Sequence, residues 1–94
     1  MLIPQDFFVA FSGDSFTVAE FVKVGPHNVP LFNLRFGERD SENEPLNMPA
    51  PTGLVMTDGT QIRTREDVFR FFDYADHVFC IPADSAMPIY PDRD

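Results

Sequence analysis

The sequence predicts a small α+β fold, an antiparallel sheet of about five short strands in hairpins with one amphipathic helix packed on one face. Three observations predict it. Short runs rich in Phe, Val and Thr alternate with a period of two, Gly-Asp and Asp-Gly dipeptides separate them, and one segment alone carries helical spacing. With 94 residues the chain is expected to form a single domain over 1–94.

The first hairpin is read from Phe7-Phe8-Val9-Ala10-Phe11-Ser12, closed by Gly13-Asp14, and from the run Phe16 to Val24 that follows at once. Thr17 and Glu20 have capping-box spacing and Gly25-Pro26 resembles a helix stop, so a short helix competes over 17–24. The strand is preferred because Phe16, Val18, Val22 and Val24 alternate, which makes Glu20 the misfit that marks a bulge, an edge or a solvent opening. Gly25 to Asn28 then turns the chain into a strand over 29–36. There Phe32, Leu34 and Phe36 share one face, and Pro30 puts the strand's beginning on an edge or at a bulge.

From Gly37 to Thr52 the composition shifts to Glu38, Arg39, Asp40, Glu42 and Glu44, followed by Pro45, Pro49 and Pro51. A long acidic, Pro-rich loop at 37–52 is expected, either mobile or a binding element. Asp58-Gly59 between Leu54–Thr57 and Thr60–Arg63 predicts a second hairpin with a type I′ turn. A helix over 64–76 follows, capped by Thr64, with Glu66 and Asp67 at the positive end of its dipole. Val68, Phe71, Phe72 and Ala75 form its apolar stripe, while Glu66, Arg70 and Asp73 face away. His77 to Ile81 reads as a last strand stopped by Pro82, and an extended, partly frayed tail is expected at 83–94, ending in Asp92-Arg93-Asp94.

Eleven Phe and 44% hydrophobic residues exclude disorder throughout, because a disordered chain of this charge lacks the apolar surface to offset its entropy. The N-terminus meets Pro4 and Asp6 before any long apolar run, so no signal peptide is expected. No apolar stretch approaches the roughly 20 residues of a membrane span. The single cysteine, Cys80, permits no intramolecular disulfide and points to a reducing cytoplasm.

Each candidate for chemistry meets a plainer explanation. His77 and Cys80, with Asp73 and Asp76 nearby, suggest a metal site or a nucleophilic pair, but a spacing of three in a strand puts His77 and Cys80 on opposite faces. The apolar neighbours Phe79 and Ile81 would raise a thiol pKa, so Cys80 reads as core. The acids do not follow the pattern of a calcium loop. Glu20 interrupts an apolar face, yet a bulge or edge position explains it as well as a catalytic role. No phosphate-binding or nucleophile-elbow motif occurs. Accordingly no enzyme activity, catalytic residue, metal or cofactor is expected.

The charge remains. Fifteen acids against seven bases leave −8, which argues against direct contact with nucleic acid or anionic lipid. Residues 1–37 carry a net −1, 38–52 carry −3 and 53–94 carry −4. The expectation is a non-enzymatic, acidic protein-binding module, of the type of small phage or mobile-element inhibitors such as anti-CRISPR-like proteins and DNA mimics. It would occupy a basic nucleic-acid-binding surface on another protein through Glu38, Asp40, Glu42, Glu44, Glu66, Asp73 and Asp76. A structural or accessory subunit using exposed Phe positions is the alternative, a small oligomeric enzyme the second, and a homodimer is left open.

Overall fold

Antiparallel pairing builds the whole sheet. The computed structural model describes residues 1–48 and 50–91, so the Asp92-Arg93-Asp94 end of the expected tail lies outside the described residues. The chain runs through β1 (Phe7–Ser12), β2 (Ser15–Val24), a 3₁₀ turn (Pro26–Asn28), β3 (Pro30–Glu38), β4 (Leu46–Asn47), β5 (Thr52–Gly53), α1 (Arg65–Phe71) and β6 (His77–Ile81). Strand order is β4-β3-β2-β1-β6, with β5 pairing farther along β3. The mixed α+β class and the antiparallel sheet agree with the reading from sequence, and no helix of the described residues is long and apolar enough to cross a membrane.

The β1–β2 hairpin forms where Gly13-Asp14 predicts it, with Ser12 opposite Ser15. Gly13 takes φ 59°, and Asp14 is not among the positive-φ residues. A left-handed first centre alone is the type II′ pattern, for which glycine is suited. The run 17–24 is strand, not helix. Its buried face, however, is the opposite of the one the Phe16/Val18 alternation favours: Ala19 and Phe21 are buried, whereas Phe16, Val18 and Glu20 are half-buried on the other side. Both faces of β2 are apolar, so periodicity alone did not choose between them. The register does, pairing Ala19 with Phe8 and Leu34, and Phe21 with Phe32. A bulge between Phe21 and Lys23 then shifts the alternation, so Val22 and Val24 do not continue the Phe16/Val18 face.

β3 extends to Glu38, and its expected inner face leaves the core as it goes. Phe32 is buried, Leu34 half-buried and Phe36 exposed. The segment expected as one long loop over 37–52 is partly ordered along β3: β4 pairs with Arg35 and Phe36, β5 with Leu31 and Phe32, and the Met48 N–H donates to the Leu34 carbonyl at 2.9 Å. The irregular acidic stretch narrows to 39–45. Gly37 has a packing role, since a Cβ there would collide with the Phe16 ring that lies across it.

The Asp58-Gly59 turn is not type I′, and the runs 54–57 and 60–63 beside it form no strands, meeting only at an isolated bridge. Only Gly59 has positive φ, at 90°, and its N–H donates to the Met56 carbonyl at 2.9 Å, with Val55 bridging Gln61. A type I turn followed by a left-handed glycine fits this pattern. The helix begins as expected, at a reciprocal box: the Thr64 hydroxyl accepts the Asp67 N–H at 3.1 Å, and the Asp67 carboxylate accepts the Thr64 N–H at 3.1 Å. It stops at Phe71 rather than reaching residue 76. The following turns return the chain to the sheet, where the Asp76 N–H donates to the Phe11 carbonyl at 2.8 Å and β6 pairs with β1. Strand pairing here overrides helical periodicity.

Val68, Phe69, Phe72 and Ala75 are buried, and Phe71 is half-buried. Phe69 was missing from the expected stripe. Its ring meets Phe8 edge-on, with centroids 5.7 Å apart. The core also takes Ala10, Phe32, Val78 and Cys80 from the sheet, and Leu54 and Ile62 from the segment before the helix. Beyond Pro82, Ile89 bridges back to Cys80, so the tail is laid along β6 rather than extended away from it.

Candidate functional site

The fold leaves two surfaces with side chains that the core does not use. The first is the end of the sheet where β1 turns into β2. The Gly13 N–H donates to the Asp76 carboxylate at 2.9 Å, and the Arg39 N–H to the Asp14 carbonyl at 2.5 Å. Ser15 lies opposite Glu38. Asp14, Glu38 and Asp76 therefore stand around one turn, with Asp40 directly after Arg39 and Asp73 three residues before Asp76. All five are exposed. The Arg39 guanidinium at this end lies over the Phe11 ring, 4.6 Å from its centroid, a placement that gives the cation an aromatic partner.

Of the residues expected to bind a partner, the structure thus brings Glu38 and Asp76 to one end of the sheet, while Asp40 and Asp73 are exposed at neighbouring positions of the chain. Glu42 and Glu44 are exposed within the stretch 39–45 that leaves this end. Glu66 is elsewhere, in the first turn of α1 beside Arg65, whose guanidinium reaches Asp6 at the far end of β1. Asp14 is the member that reading along the chain missed. A turn residue looks isolated until pairing sets it against positions 38 and 76.

The second surface is the outer face of the sheet. Side-chain alternation and register put Phe7, Val9 and Phe11 of β1 in line with Phe16, Val18 and Glu20 of β2, and with His77, Phe79 and Ile81 of β6. None of these nine is fully buried. Phe11 lies between Phe16 and Phe79, each 6.4 Å away between centroids, and Tyr90 approaches Phe79 at 6.1 Å. Over β2 and β3 the face hollows into an open groove of about 550 Å³, with Phe7, Phe16, Val18, Pro45 and Met48 as apolar lining and Glu20, Asn33 and Arg35 as polar lining. No family model, curated protein or solved structure matches the chain. Chemistry must therefore be read from these surfaces and from the buried titratable groups.

Two such groups are buried. Asp6 has no exposed surface, and four N–H donors saturate its carboxylate: Ile3 at 2.9 Å, Ala83 at 2.7 Å, and Arg65 through Nε at 3.0 Å and a terminal nitrogen at 3.1 Å. Burial pushes its pKa up, but the Arg65 hydrogen bond, the Ala83 and Ile3 N–H groups and the Arg65 charge outweigh it and hold the carboxyl below 3.8. With its oxygens so engaged, Asp6 joins three parts of the chain and presents no free oxygen to a ligand. Burial likewise pushes the Cys80 thiol up to about 11. Iodoacetamide is expected to label Cys80 only at the rate of unfolding, since a thiol of that pKa carries little thiolate at neutral pH. Rapid labelling of folded protein would contradict this burial. Among the described residues no group of three or more His, Cys, Asp and Glu side chains is gathered to hold a metal ion.

Proposed function

We propose that the protein is a non-enzymatic binding module that occupies a basic, nucleic-acid-binding surface of another protein, in the manner of a small phage-type inhibitor or DNA mimic. The meeting of Asp14, Glu38 and Asp76 at the Gly13-Asp14 turn carries this reading. Three carboxylates at one sheet end against the Arg39 cation over Phe11 leave a net negative field that can compete with phosphates for a basic groove. Helix α1 turns Val68, Phe69 and Phe72 inward and Glu66 and Arg70 to solvent. The lone buried Cys80 suits work in a reducing cytoplasm.

The test uses purified basic DNA-binding proteins as probes. Association is expected to weaken steeply with salt and to be displaced by duplex DNA. Reversing Glu38, Asp40, Glu42 and Glu44 together to lysine should leave the unfolding midpoint nearly unchanged, because surface substitutions usually fall within about 0.5 kcal/mol. It should slow association by at least tenfold or so, since steering follows the summed charge. Binding that ignores salt, or proceeds alongside bound DNA, would count against the mimic. It would favour a second reading, an accessory subunit seated through the outer aromatic face.

A further inference from the structure

Resting on the reading of a basic partner, we propose that the outer-face groove receives an extended segment of that partner in which a lysine or arginine is flanked by apolar residues, with the cation seated on Glu20. Glu20 is the side chain that neither the core nor the acidic end accounts for. It shares a strand face with Phe16 and Val18 and lies opposite Phe7 of β1. Among the described residues its carboxylate takes part in no salt bridge. Arg35 lines the same groove and forms no salt bridge with Glu20, so a purely apolar occupant would strip water from that carboxylate without replacing it, a heavy cost for a charge. An occupant bearing a cation removes the cost.

The groove's shape and setting narrow the occupant further. Phe7, Phe16, Val18 and Met48 provide apolar contact for side chains flanking the cation, while Asn33 and Arg35 bring donors for the carbonyls of an extended chain. Pro45 of the lining follows directly on the acidic stretch 38–44, whose field attracts basic segments. A second copy of this chain is a poorer occupant, because two chains of −8 would repel as they approached. Anionic lipid fails for the same reason.

The experiment maps amide shifts of isotope-labelled protein with three synthetic peptides, an alternating Lys-Leu peptide and its Lys-Ser and Glu-Leu counterparts. The Lys-Leu peptide is expected to shift Val18, Glu20, Asn33 and Arg35, the Lys-Ser peptide to bind more weakly, and the Glu-Leu peptide to leave the spectrum unmoved. Glu20→Gln should weaken Lys-Leu binding about tenfold, as loss of a charge-assisted hydrogen bond predicts. Met48→Ala, distant from the core, should weaken it as well with the spectrum's dispersion intact. The four-residue charge reversal should raise the Lys-Leu concentration needed yet shift the same groove residues at saturation, while slowing association with whole basic proteins, so failure of the acidic-end reading is seen separately. Shifts confined to the neighbourhood of Asp14 and Asp76, equal binding of the Lys-Ser peptide, an unaffected Glu20→Gln variant, or concentration-dependent shifts on this face without peptide would each overturn the proposal.

Discussion

Asp6→Ala is expected to lower the unfolding free energy by about 3–5 kcal/mol, because it leaves Arg65 with only a longer contact to the exposed Asp84 and the Ile3 and Ala83 N–H groups without their acceptor. The carboxylate ties the entry to β1, the first turn of α1 and the chain beyond β6 through Ile3, Arg65 and Ala83. Its loss therefore loosens three elements together. The same group gives stability a pH dependence. Its folded pKa lies below the ordinary 3.8, so the stabilisation is complete above the unfolded carboxylate's pKa and is lost as pH falls through the lower folded value. Asp67 is lowered too, where burial opposes the shift and the Arg63 and Thr64 N–H groups, with Arg70, prevail, and it adds loss in the same direction. Urea denaturation at neutral pH and below about pH 4 measures both effects. The wild type should lose stability on acidification faster than Asp6→Asn does. Parallel pH profiles for the two would show that Asp6 is not the acid-sensitive clasp.

Most local signals were legible in the sequence, the Asp58-Gly59 turn excepted, and long-range ones were not. Gly13-Asp14 between two β-prone runs, Thr64 three residues before Asp67, and Pro82 after Ile81 each specify geometry within a few residues, and each reads out as such. The side of β2 that faces the core was not legible, because both sides are apolar and the choice depends on pairing with β1 and β3. The end of α1 was misread for a related reason: Ala75 and Asp76 continue the helical spacing, but the β1–β6 ladder claims the chain first. Asp6 and Arg65 are 59 residues apart, and nothing local to either announces the other. The candidate site divides along the same line. The acids of 38–44 are visible as a run, whereas the meeting of Glu38 with Asp14 and Asp76 exists only through strand pairing.

Phe72→Ala should cost about 3–5 kcal/mol, the range for truncating a buried aromatic. Phe72 is 1% exposed, caps the C-terminus of α1 and meets Phe71 edge-on at 5.1 Å. Truncation would empty space that Val68, Ala75 and the sheet cannot fill without moving. A chain of this size commands roughly 5–14 kcal/mol in all. The variant should therefore melt tens of degrees lower, at about 4–8 °C per kcal/mol. The informative control is Val18→Ala on the outer face. Val18 is only half-buried and lines the open groove, so its truncation should cost well under half as much. Equal losses at the two positions would mean that the outer face is as tightly packed as the core, and the groove would lose its standing as a free surface.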